Sequence, residues 1–272
     1  MTTAFTIVLA TFAAGIGSVW LAAGLMRLGW GPEPRVRGLK EQHLLSLAAG
    51  ALLATSFMHL LPEALESRAG PKPLFAVLLV GLVFFFLLDK AELWHHGHEH
   101  HHDAGEGEHD HHGHDHHSHP PARSGGWAVL TGDSVHCFGD GILIASAFIA
   151  NRHLGLVAAL AVLAHEVPHH IGDLAVLRQT SRNRRAALVK VTLAGAVTPL
   201  GGLVGWWLVD QLVGYLPYFL VVASSSFIYV ALADLIPQLQ RRLGARETLA
   251  QIAWLLGGIA LVTIVSTFAH AH

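Results

Sequence analysis

The chain has 272 residues, 52% of them apolar, a mean hydropathy of +0.47 and only 13% charged side chains, against about 25% in an ordinary soluble domain. Its 17 basic and 19 acidic residues leave a net charge of −2 with no basic patch, which gives no sign of nucleic-acid binding, and no nucleic-acid partner is expected. A single cysteine, Cys137, rules out an intrachain disulfide or a cysteine-rich metal site, so the 22 histidines are the feature that needs a chemical reason.

A membrane-crossing helix needs roughly 20 mostly apolar residues. Apolar stretches at 4–26, 44–65, 74–94, 127–150, 154–177, 187–212, 215–235 and 249–268 meet that need and use up nearly the whole chain. The expected fold is therefore an all-α integral membrane protein of eight transmembrane helices in a lipid bilayer, arranged 3+2+3. The first stretch lacks a basic leading region and is long enough to span, so it reads as a retained helix rather than a cleaved signal. Asp89, Lys90 and Glu92 fall in the last turns of the third stretch, which suggests a shorter span there. The expected division is 1–94 for helices one to three, 95–125 for a cytoplasmic loop, and 126–272 for helices four to eight.

Lysine and arginine are preferentially held on the cytoplasmic side. Fourteen of the 17 fall in the first, third, fifth and seventh loops, which places both termini outside. The Ala-, Leu- and Arg-rich composition suggests a bacterial cytoplasmic membrane.

Residues 95–119 hold 13 histidines and six acidic residues with no apolar periodicity, so this segment is expected to be disordered without metal. It reads either as a tag-like low-complexity insert or as a metal-collecting or sensing loop. Its place inside the chain and its many weak imidazole and carboxylate ligands favour the second.

In the second stretch His59-Leu60-Leu61-Pro62-Glu63-Ala64 is similar to Asp234-Leu235-Ile236-Pro237-Gln238-Leu239 in the seventh, 175 residues on. The two helices would have opposite polarity, so the pair suggests an inverted repeat. His59, Glu63 and Asp234 are then candidate pathway residues near opposite ends of a route.

Ionisable groups are costly at bilayer depth and mark function there. On the fourth helix His136, Asp140, Asp133 and Cys137 fall at about 0°, 40°, 60° and 100°, one face. On the fifth, His165, His169, Asp173, Glu166 and His170 fall at about 0°, 40°, 80°, 100° and 140°. Lone groups of this kind could be satisfied interhelical hydrogen bonds. Nine on two consecutive helices exceed what packing requires, and His with carboxylate at i and i+4 is how helices hold a divalent metal. Pro168 in the cluster removes the backbone bond to the Ala164 carbonyl, which suits an ion pathway. Imidazole with carboxylate favours Zn²⁺, admits Fe²⁺, Mn²⁺, Co²⁺, Ni²⁺ or Cd²⁺, and fits Mg²⁺ or Ca²⁺ poorly. Cys137 is either a further soft ligand or a small buried apolar residue.

Asp133-Ser134-Val135-His136-Cys137-Phe138-Gly139-Asp140-Gly141 and His165-Glu166-Val167-Pro168-His169-His170-Ile171-Gly172-Asp173 resemble the paired metal-binding signatures of the ZIP (Zrt/Irt-like) metal transporters, the second pointing to the LIV-1-like branch. The eight spans, the His-rich loop after the third helix and His59 with Pro62-Glu63 share in the resemblance. It implies import of zinc-class ions into the cytoplasm by alternating access, through a binuclear site between the fourth and fifth helices. By position His136, Asp140, His165, Glu166 and His169 match family ligands. Cys137 stands where the family usually has Asn and His170 where the branch usually has Glu, which removes one negative charge. Asp210 on the sixth stretch is not claimed as a ligand. A homodimer is left open.

Two other readings compete. His165-Glu166-Val167-Pro168-His169 fits the H-E-x-x-H pattern of zinc metalloproteases, with Glu as general base. Against an intramembrane protease, the fourth-helix residues would then be superfluous. His136 and Asp140 also fit the His-x-x-x-Asp of a diffusion-facilitator exporter, but six spans and a soluble C-terminal domain would be expected there.

Overall fold

The computed structural model describes residues 3–29, 39–97, 125–180, 184–239 and 244–270. Among these every regular element is helical. Eight helices are long and apolar enough to cross a membrane: α1 (Thr3–Arg27), α2 (Gln42–Leu65), α3 (Pro71–Gly97), α4 (Gly125–Ala150), α5 (Arg152–Thr180), α6 (Arg185–Gln211), α7 (Val213–Ala233) and α8 (Ala245–His270). The protein is a multi-pass integral membrane protein. Most of the expected His-rich loop, residues 98–124, lies outside the described residues. Within α3 the apolar span is Pro71–Leu88, while the helix itself continues to Gly97.

Burial separates the helices into inner and outer. Two thirds (67%) of the apolar windows of α2 and α5 are buried, against 11% for α3 and α8. The outer pair turns Leu79, Val80, Val83, Phe84, Leu256 and Ile264 outward, as lipid contact requires. Helix contacts come in matching pairs. α2 packs on α8 as α7 packs on α3, α4 on α6 as α5 on α1, and α2 on α5 as α7 on α4. Exchanging α1 with α6, α2 with α7, α3 with α8 and α4 with α5 leaves this pattern unchanged, as an inverted repeat demands.

Small residues make the close crossings, as is common between helices in membranes. A Cβ on Gly50 of α2 would run into the Leu255 carbonyl of α8, and one on Gly258 of α8 into the Leu47 carbonyl of α2. On the other side a Cβ on Gly81 of α3 would meet Ser225 of α7. Ser225 lies 175 residues after Gly50, the offset of the two proline motifs. The motifs themselves share a backbone device: π-type turns at Ser56–Leu60 and Val230–Leu235 sit just before Pro62 and Pro237. Each proline lacks the N–H that would bond the carbonyl four residues back, Met58 or Ala233, and both carbonyls lie inside the widened turn.

Candidate metal centre

α4 and α5 lie side by side in the interior, and glycines seat α4 closely on α6. A Cβ on Gly141 would meet the Thr198 carbonyl and one on Gly201 the Phe138 carbonyl. This fixes the α4 face that carries Asp133, His136, Cys137 and Asp140 against the α5 face that carries His165, Glu166, His169, His170 and Asp173. α5 is helical straight through Pro168.

Three groups of ligand atoms form there, the atoms within each lying inside 4.8 Å of one another. The first joins His136, Asp140, His165 and Glu166. His165 Nε2 is 3.1 Å from Asp140 Oδ2 and 3.4 Å from Glu166 Oε1. His136 Nε2 is 3.3 Å from His165 Nε2, 3.3 Å from Glu166 Oε1 and 3.9 Å from Asp140 Oδ2. Four ligands at about 2.0–2.2 Å from a tetrahedral ion stand roughly 3.3–3.6 Å apart, so these spacings fit one ion. The second joins Asp133, Cys137, Glu166 and His170. His170 Nε2 lies 3.1 Å from Glu166 Oε2 and 3.8 Å from Asp133 Oδ1. The Cys137 sulfur lies 3.8 Å from Glu166 Oε2 and 3.7 Å from Asp133 Oδ1. The third joins Asp133, His169 and Asp173, with His169 Nδ1 3.6 Å from Asp133 Oδ1 and 3.4 Å from Asp173 Oδ2.

Carboxylates link the groups. Glu166 turns Oε1 to the first and Oε2 to the second, and Asp133 belongs to the second and third. Asp133, Asp140 and Glu166 are all at least 96% buried, and the contacts around them are to imidazoles and the Cys137 thiol. Asp133 Oδ2 is buried without a hydrogen bond, and Asp140 Oδ2, Glu166 Oε1, His169 Nδ1, His170 Nε2 and Asp173 Oδ2 are buried in imidazole–carboxylate contacts that lack hydrogen-bond geometry. A buried polar atom with no partner costs about 1–3 kcal/mol, and a cation held by these ligands would satisfy them. His136 and His169 are the most exposed members, at 27% and 36%, and their rings stack with centroids 5.5 Å apart.

The other sequence candidates lie elsewhere. Neither His59 nor Glu63 belongs to any of the three groups. His59 instead faces His153 at the start of α5, ring centroids 6.3 Å apart, and His153 donates to the Ser266 carbonyl of α8. His153 carried no sequence signal, since one histidine at a helix start is ordinary. The side chain of Asp234 lies outside the described residues. The H-E-x-x-H reading finds no support in the geometry, since His165 and His169 fall in different groups and both Glu166 oxygens face ligand atoms.

Comparison with known proteins adds the family. Residues 90–266 match the family described as ZIP Zinc transporter. The chain is 29% identical to Zinc transporter SLC39A7 of Mus musculus over 307 residues, covering 86% of this chain and 64% of that protein. With Zinc transporter ZIP4 of Homo sapiens it is 28% identical over 84% of this chain and 43% of the relative. With human Zinc transporter ZIP10 the figures are 29%, 66% and 23%. The chain thus spans less than two thirds of the length of each of these relatives. The family match contains every residue of the three groups together with α4 and α5 entire, and the chain belongs to the ZIP family of metal transporters.

Proposed function

We propose that the protein carries zinc-class divalent ions across the membrane into the cytoplasm by alternating access, along the ligand ladder between α4 and α5. ZIP proteins are transporters and not enzymes, which sets the protease reading aside, and eight spanning helices are two more than the exporter reading expects. The relatives named above are called zinc transporters, and the donor set of imidazole, carboxylate and one thiol suits Zn²⁺, with Fe²⁺, Mn²⁺, Co²⁺, Ni²⁺ and Cd²⁺ as further candidate cargo.

The observation that carries this reading is the sharing of Glu166 and Asp133 between consecutive groups. An ion can leave one group by exchanging ligands one at a time while a carboxylate already bound to it belongs to the next. It is never stripped of charge compensation in a medium where a bare charge is costly. From His165 to Asp173 the ladder runs about 12 Å along α5. With both termini outside, as the loop charges favour, the first group lies nearer the outer face and the third nearer the cytoplasm. A bacterial cytoplasmic membrane is the setting that composition favours, and residues 95–125 would collect or sense the ion beside the exit.

In proteoliposomes the wild type should take up Zn²⁺, and His136→Ala and His169→Ala should each abolish uptake while eluting as folded protein. These residues stand in the first and third groups, so full flux in either variant would mean that the route runs elsewhere. Orientation has its own check. Glu63→Cys and Gln238→Cys, each in a Cys137→Ser background, should react with a membrane-impermeant maleimide from opposite faces. Labelling from one face would overturn both the helix count and the repeat, and labelling of position 63 from the cytoplasmic face would overturn the orientation.

A further inference from the structure

His170 is completely buried, and the group facing the back of its ring comes from a different helix. Ser18 Oγ, on α1 and also fully buried, lies 3.0 Å from His170 Nδ1 and donates to the Gly15 carbonyl. Gly15 belongs to a π-type turn, Ala13–Gly17, at the point where α1 crosses α6 so closely that a Cβ on Gly15 would meet the Gly195 carbonyl.

The proton count at Ser18 has one solution. A hydroxyl carries one proton and can accept two more. The Gly15 carbonyl has no proton to offer, so the contact between the two oxygens uses the hydroxyl proton. Ser18 Oγ can then only accept from His170, and the imidazole proton must sit on Nδ1. A neutral ring protonated on Nδ1 presents its lone pair on Nε2, the atom that faces Glu166 Oε2 and Asp133 Oδ1. His165 is oriented in the same sense from within its own helix, its Nδ1 lying 3.2 Å from the Ala161 carbonyl. His170 depends on α1 instead.

We infer that Ser18 is a positioning residue for the second ion, holding His170 in the tautomer that makes Nε2 a ligand of the middle group. This rests on the metal reading of that group given above. It also ties the ligand geometry to the α1–α6 crossing, since the carbonyl that fixes the Ser18 proton is part of that contact. Partners of this kind typically change metal affinity by roughly 10- to 100-fold when removed.

The test uses the full chain, purified in detergent and titrated with Zn²⁺. In Ser18→Ala the second ion should bind roughly 10- to 100-fold more weakly and the first unchanged, with Ser18→Thr restoring the second. His170→Ala should lose the second ion outright. If His170→Ala binds two ions as tightly as the wild type, His170 is not a ligand of the middle group and the inference falls with it. If His170→Ala loses the ion but Ser18→Ala binds both as the wild type does, the group stands and Ser18 has no positioning role. Nitrogen NMR of ¹⁵N-histidine-labelled, metal-free wild type gives a readout independent of any change in packing at Ser18, the His170 signals being identified by their loss in His170→Ala. The proton should be on Nδ1, and a ring protonated on Nε2 alone would overturn the inference.

Discussion

Glu166→Gln should cost the protein bound ions and nearly all uptake. Glu166 is the one residue common to the first and second groups, with an oxygen toward each, and it is 1% exposed. Glutamine keeps the shape but not the charge, so two ions would lose one shared anion. Breaking a buried charge pairing of this kind costs about 3–5 kcal/mol, which at 1.4 kcal/mol per tenfold means roughly 100- to 4,000-fold weaker binding. Elemental analysis beside proteoliposome uptake checks this. Full stoichiometry with full uptake in the variant would remove Glu166 from the site, whereas a general base could lose its charge and leave the metal bound.

Two neighbouring glycines on α8 should respond in opposite ways to the same substitution. A Cβ on Gly258 runs into the Leu47 carbonyl of α2 and lies 2.9 Å from the Ala51 nitrogen, while a Cβ on Gly257 meets nothing within 4 Å. Gly258→Ala must push α8 from α2, and overpacking of this sort costs about 1–3 kcal/mol. Gly257→Ala gains helix propensity of up to about 1 kcal/mol. Thermal unfolding in detergent should show a lowered midpoint for the first and an equal or raised one for the second. Matching midpoints would mean that α2 and α8 do not cross where the glycines place them.

The sequence reading located the eight helices because each must bury or expose twenty or so apolar side chains, a signal that no local detail obscures. It ended the third stretch at residue 94, whereas α3 runs on to Gly97. The apolar count ends where His95 and His96 begin, but a helix can carry polar residues past the end of its apolar span. The π-type turns at Ser56–Leu60 and Val230–Leu235 were announced only by the prolines after them, and the one at Ala13–Gly17 was not announced at all. At the site, helical arithmetic placed the nine side chains on the facing sides of two helices but could not pair them. Pairing depends on the relative height and rotation of α4 and α5, which the glycine contacts of α4 with α6 help to fix. His169 therefore joins Asp133 and Asp173 instead of His136 and His165. Ser18 was invisible for a similar reason, because one serine in an apolar span has no meaning until its helix is packed against His170.

Divalent ions are expected between α4 and α5, in groups that share a carboxylate. Anomalous diffraction from crystals of the purified protein grown with Zn²⁺ or Cd²⁺ tests this most directly. Two peaks flanking the Glu166 carboxylate are expected for Zn²⁺, one within about 2.0–2.2 Å of His136, Asp140 and His165 atoms and the other equally close to His170 and Asp133. Ions found only elsewhere, with Glu166 touching none, would contradict it.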